Sequence, residues 1–238
     1  MRAIQQFFQR REASKHLDNT EGFESDPSIR IVVNPEDLVV IHHPDVKALL
    51  WKRTVSDDIV QELEALQNTG RQSQALQVEE SHHVNMMRSV EIPPAIKSHI
   101  QESHSAFEKA AGARYMAKVD YYGNGQYGAD RPSAMHVDDN ITLRALAVYT
   151  LDLNAASEWY PGRFSRDDIN RINLQLLCAQ SDEEKRDIKE SYGVQTLNLG
   201  DVLIFKGKNY DGKLESEDQI AHNGRDGTYD GAFRYLTI

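Results

Sequence analysis

Near residue 112 the chain changes its hydrophobic rhythm, and that change limits the folds open to it more than any other feature. Upstream, the signals are helical: PDVKALLWKR, SDDIVQELEALQ with Ser56 as N-cap, and PPAIKSHIQESHSAFEKAAG, opened by proline and stopped by Gly112. IRIVV and LVVIHH are the only early strand candidates. From Ala113 onward short strand-like runs take over: ARYMAKVDYY, SAMHV, TLRALAVYTLD, VQTLNL, DVLIFKG, DQIAH and AFRYLTI, separated by turn-rich pieces such as GNGQYGADRP and NGRDGTYDG. One helical insert, SRDDINRINLQLLCAQSDEEKRDIKESYG, interrupts them. Helices first and many short strands later predict an α+β protein whose functional half is a β-sandwich or open barrel. With 238 residues, 39% of them hydrophobic, and no repeat or long linker, the expectation is a single domain over 1–238, in which a mainly helical 1–112 packs on 113–238.

Charge narrows the partners. Lys and Arg number 27 against 37 Asp and Glu, a formal net charge of -10 that repels a phosphate backbone, so no nucleic-acid substrate is expected. The single cysteine, Cys178, cannot form an internal disulfide, and no apolar run approaches the roughly 18 residues of a membrane span. A reducing compartment, the cytoplasm, fits best. The opening MRAIQQFFQRR is basic and mildly amphipathic but lacks the apolar core of a secretory signal, and reads as a first helix.

The densest chemistry is in SAMHVDDN, residues 133–140. Side chains alternate along a strand, so His136 and Asp138 share a face and Asp139 points away. Such a pair can chelate a divalent metal, but a third ligand must come from elsewhere. His16, His42, His43, His82, His83, His99 and His104 lack a partner at ligand spacing and read as solvated or hydrogen-bonded. His222 differs: it closes the strand-like DQIA and precedes AFRYLTI, where Arg234 sits among apolar residues. A guanidinium in such a strand is costly to bury unless it meets an anion. Arg144, in another apolar run, competes with Arg234 as a binder of carboxylate. Tyr121, Tyr122, Tyr149, Trp159 and Tyr160 read as core by default, with Tyr122 and Trp159 the candidates for lining a substrate pocket. Lys206 and Arg225 read as solvated charges, and GNG at 123–125 as a turn.

The set His136-x-Asp138, His222, Arg234, on strand-like segments in that order, resembles the pattern of the Fe(II)/2-oxoglutarate-dependent dioxygenases. The resemblance covers residues 113–238 and implies a double-stranded β-helix, a cupin-like jelly-roll of two sheets with N-terminal and outer helices. It also implies that His136, Asp138 and His222 hold Fe(II) while Arg234 receives the far carboxylate of 2-oxoglutarate. The chemistry is coherent: two neutral imidazoles and one carboxylate on one face of a ferrous ion leave three positions open, and a guanidinium fork suits a carboxylate. What the family does with this arrangement is couple decarboxylation of 2-oxoglutarate to oxidation of a C–H bond by dioxygen, hydroxylation being the default; the substrate expected is a small molecule such as an amino acid or biosynthetic intermediate. MHVDDN, LRALAVYTLD, SEWYPG, GDVLIFKGKNYDG, AHNGRD and FRYLTI are also similar, piece by piece, to an uncharacterised bacterial domain family of unknown function, with departures at Asp139, Ser157 and Asn223. Two alternatives stay open: a metal-dependent cupin-like enzyme that does not use 2-oxoglutarate, and a non-enzymatic module that binds metal or ligand.

Overall fold

The computed structural model describes residues 2–67, 74–77, 92–122, 134–138, 141–152, 156–210, 219–223 and 232–237. Helix α1 (Arg2–His16) leads into strands β1 (Glu21–Phe23) and β2 (Asp26–Val32), a 3-10 helix (Pro35–His42) and β3 (Ala48–Trp51). Then come α2 (Asp57–Gln67), β4 (Gln74–Gln77), α3 (Pro94–Ala111), β5 (Ala117–Tyr122), β6 (Leu143–Tyr149) and β7 (Glu158–Tyr160). The insert forms α4 (Arg166–Cys178) and α5 (Asp182–Ser191), followed by β8 (Gln195–Thr196), β9 (Val202–Lys206), β10 (Ala221–Asn223) and β11 (Ala232–Thr237). The fold is α+β.

The larger sheet has the order β1-β2-β3-β9-β6-β11-β5-β4, antiparallel except for the β2–β3 pair. The smaller has the order β10-β7-β8 and is extended by a bridge between His136 and His222. Alternation along the strands divides the larger sheet's side chains between two cores. Leu143, Ala145, Ala147 and Tyr149 of β6, with Phe233 and Tyr235 of β11, face Ile59 and Leu63 of α2 and Ile96, Ile100 and Phe107 of α3. On the other face Leu146, Leu203, Phe205 and Leu236 meet Trp159 of the smaller sheet and Leu197 and Ile220, which adjoin its strands. Behind that sheet, Met135, Tyr160 and Ala221 pack on Ile169 and Ile172 of α4. The inward faces of the two sheets therefore bound one shared interior.

Two early segments differ from their sequence reading. LVVIHH forms the end of the 3-10 helix, not a strand. Pro35 opens that turn, and Asp37, 2% exposed, accepts hydrogen bonds from Asn19 and Asn34, which holds the chain coiled. PDVKALLWKR, read as helical, contains β3 instead, buried along its whole length between β2 and β9. A short run buried on both sides has no polar face, so its periodicity cannot separate the two states. The first half of the chain is thus woven into the larger sheet rather than laid over it.

Local signals hold where capping chemistry fixes them. Gly112 closes α3 at φ 66°, a left-handed conformation that favours glycine, and its N–H donates to the Glu108 carbonyl. At the other end of α3, Glu62 of α2 accepts from the Ala95 and Ile96 N–H groups at 2.9 and 3.0 Å. Ser165 starts α4 with a capping box, its Oγ accepting from the Asp168 N–H at 3.1 Å while the Asp168 carboxylate accepts from the Ser165 N–H at 3.0 Å.

Candidate metal centre

The short segment at residues 134–138 is held on both sides. On one side His136 exchanges backbone hydrogen bonds with His222, each 2.9 Å, so the two histidines sit directly opposite on neighbouring strands. On the other, Asn173 of α4 grips Met135, accepting from its N–H at 2.8 Å and donating to its carbonyl at 2.9 Å. The side-chain amide pairs with the backbone as a neighbouring strand would. Because Met135 faces the outer core, His136 and Asp138 both face the interior between the sheets.

One ligand atom from each of His136, Asp138 and His222 lies within 4.8 Å of the other two. The imidazole centroids are 4.4 Å apart, and the His222 ring also lies 5.0 Å from Phe205 of the facing sheet. Each histidine turns Nδ1 toward the carbonyl two residues before it: His136 to Ala134 at 3.0 Å and His222 to Ile220 at 3.3 Å. A carbonyl can only accept, so both rings carry their proton on Nδ1 and keep the Nε2 lone pair for an ion. Burial pushes the His222 pKa down to about 4, against the pull of the Asp138 carboxylate, and leaves the ring neutral at pH 7, the form a metal needs. His136 is exposed and His222 is buried, so the cluster has one open side.

Asp138 supplies the test of fit. Its Oδ2 is buried, 3.5 Å from His222 Nε2 and 3.0 Å from Arg144 Nη1, yet neither contact is aligned as a hydrogen bond. A buried carboxylate oxygen aimed at two imidazoles without a hydrogen bond is in the condition that coordination would relieve. Cis ligands at about 2.1 Å from one ion stand about 3 Å apart, so the Asp138–His222 pair at 3.5 Å and the set as a whole, within 4.8 Å, close on an ion by small side-chain movements. The three side chains fit a divalent ion.

Arg144 of β6 and Arg234 of β11 point into the same interior, since Leu146 and Leu236, two residues along each strand, lie in the inter-sheet core. Burial depresses the Arg144 pKa; Asp138 raises it and Arg234 lowers it, so the two guanidiniums are near enough to oppose one another. Trp159 is 1% exposed and meets Phe23 edge-on at 5.2 Å, a core residue with no surface for a substrate. Tyr160 lies in the outer core, and Tyr149 faces the helices, bonded to His99 at 2.8 Å. Tyr122 pairs with Ala232 at the end of β5, its side chain being outside the described residues, as are His82, His83, Asp139, Arg225 and the 123–125 turn.

The five other described histidines all have partners away from the centre, His43 accepting from the Asp45 N–H at 3.3 Å. His16 contacts Asp37 at 2.7 Å, His42 contacts Tyr210 at 2.7 Å, His99 contacts Tyr149, and His104 contacts Tyr235 at 3.0 Å. Lys206 is not a solvated charge. It is 4% exposed, donates to the His43 carbonyl at 2.8 Å and lies over the Tyr210 ring. Sequence reasoning missed Asn173, and missed Glu158, which is 4% exposed and binds Asn223 and Lys189 at 2.8 Å each behind the His222 strand. Neither has a signal at the sequence level, because each depends on a helix whose docking face is set only by the fold.

No family model matches the chain, and no curated protein matches it. Solved structures that resemble it include a prolyl-4-hydroxylase from Pseudomonas putida, at 10% identity and a TM-score of 0.37, over 80% of this chain and 91% of that one. A C-terminally truncated protein from Neurospora crassa, solved in its apo form, aligns at 8% identity and a TM-score of 0.38, over 80% and 81%. An N-substituted L-amino acid dioxygenase from Burkholderia ambifaria aligns at 12% identity and a TM-score of 0.33, over 95% and 76%. Likenesses this remote carry no weight for the function of this chain. Among the described residues, no helix is long and apolar enough to cross a membrane.

Proposed function

We propose that the chain is a cytoplasmic non-haem Fe(II) oxygenase with a jelly-roll core, coupling decarboxylation of 2-oxoglutarate to oxidation of a C–H bond in a small molecule, with hydroxylation as the default outcome. The observation that carries the reading is the inward cluster of His136, Asp138 and His222, with ligand atoms within 4.8 Å and a buried Asp138 oxygen that makes no hydrogen bond. Two imidazoles and one carboxylate suit Fe(II) and leave room for further ligands. Bound iron would supply the dioxygen chemistry that no side chain can perform.

The chain's own residues do the rest. The Ala134 and Ile220 carbonyls hold the two rings with Nε2 turned inward. Arg234, on the same interior as the triad, gives the far carboxylate of 2-oxoglutarate a charged fork. Leu146, Phe205 and Leu236 keep the sheet around it apolar, which strengthens that contact.

The test is anaerobic addition of Fe(II) and then 2-oxoglutarate, watched for the weak visible charge-transfer band of the chelate, followed by screening of small molecules for succinate release. A band that forms and is lost in His222→Ala supports the reading. Tight metal binding with no response to 2-oxoglutarate would leave a metal enzyme of a different kind.

A further inference from the structure

We infer that Arg144 sets the charge of the metal site, so that a bare divalent ion binds poorly and a dianionic chelating co-ligand binds together with the metal. This rests on the iron reading above and deepens it. The alternation of β6 sends Arg144 inward, and its Nη1 stops 3.0 Å from Asp138 Oδ2, the same oxygen that stands 3.5 Å from His222 Nε2. Arg144 Nε is buried and makes no hydrogen bond. The guanidinium is therefore held at this place by the charge of the carboxylate and not by a hydrogen-bond network at Nε.

An ion coordinated through Oδ2 would share that oxygen with a second cation. With Asp138 and Arg144 cancelling and both imidazoles neutral, this group of side chains offers a divalent ion no net negative charge. Loading the ion adds two positive charges to an interior that already holds Arg234, and one dicarboxylate dianion cancels the two the ion brings. The arginine thus converts an ordinary metal site into one that holds metal firmly only when an anionic chelator arrives. In the absence of metal its contact at 3.0 Å also keeps Asp138 turned inward.

The experiment is anaerobic titration of Co(II) into the full chain, with and without saturating 2-oxoglutarate, for the wild type, Arg144→Lys and Arg144→Gln, with melting curves to establish folding. Like charges a few ångströms apart in a partly buried site shift affinities by about tenfold or more, so 2-oxoglutarate should tighten Co(II) binding to the wild type by at least that factor. In Arg144→Gln, Co(II) alone should bind about tenfold tighter than to the wild type, and the gain from 2-oxoglutarate should fall by about the same factor, to the part that direct chelation supplies. Arg144→Lys, which keeps the charge, should retain most of the wild-type coupling. A purely structural role for Arg144 would weaken metal binding in Arg144→Gln and leave the coupling intact, and that result overturns the inference. If Arg144→Gln does not fold, the wild type decides: Co(II) affinity indifferent to 2-oxoglutarate overturns it equally. A wild type that binds no metal defeats the iron reading as well, whereas metal and 2-oxoglutarate binding that Arg144→Gln leaves unchanged defeats this inference alone.

Discussion

Acidification should destabilise the protein through His99, a residue remote from the metal cluster. His99 lies on α3 at 7% exposure, and its Nδ1 accepts from the Tyr149 hydroxyl at 2.8 Å and from Arg53 Nη1 at 3.1 Å. Nδ1 is therefore occupied as an acceptor, and a proton placed there would break both contacts beside a guanidinium. Burial first, and then the Arg53 charge, lower its pKa from 6.5 to about 4. The unfolded chain takes up this proton near pH 6.5 and the folded chain does not, so the stabilisation is complete above pH 6.5 and is lost progressively as pH falls toward 4. At pH 5 the loss from this one group comes to about 2 kcal/mol. Urea unfolding of the wild type and His99→Gln at pH 7.5 and pH 5 isolates it, because glutamine does not titrate and other groups cancel in the double difference. The pH-dependent loss should be about 2 kcal/mol smaller in the variant. Equal losses in the two proteins would refute the assignment of the proton to His99.

Three further outcomes are expected from contacts in the structure. Asn173→Ala removes both bonds to Met135 and should cost about 1–3 kcal/mol in urea unfolding while weakening Co(II) binding, since it frees the segment that carries His136 and Asp138. Glu62→Ala leaves the Ala95 and Ile96 N–H groups without their cap and should cost about 1 kcal/mol in thermal melts, with metal affinity unchanged. Arg234→Met should abolish the 2-oxoglutarate-dependent visible band while Fe(II) binding, followed by competition with a chelating dye, stays within about threefold of the wild type.

The alternation rule is enough to place His136 and Asp138 on one face, because the period of a strand is fixed by backbone geometry. That His222 lies opposite His136 is not readable at all: it depends on a bridge between two short segments far apart in the chain. The same holds for Arg144, whose position in an apolar run shows that it needs an anion but not that the anion is Asp138. Errors gather where a segment is buried all round. Ala48–Trp51 is buried throughout and residues 38–42 nearly so, and tertiary packing, with the bonds to Asp37, decides between strand and helix there. Lys206 reads as solvated in the sequence because its partners, the His43 carbonyl and the Tyr210 ring, are unknowable before the fold. Trp159 reads as a pocket candidate because an aromatic in a strand carries no mark of which sheet will cover it.

The most direct test of the iron centre is a crystal grown anaerobically with Mn(II), examined for anomalous scattering from the metal. One peak within coordination distance of His136 Nε2, Asp138 Oδ2 and His222 Nε2 is the result this account predicts. A protein saturated with Mn(II) that shows its peak elsewhere, with these three side chains unmoved and uncoordinated, would contradict it.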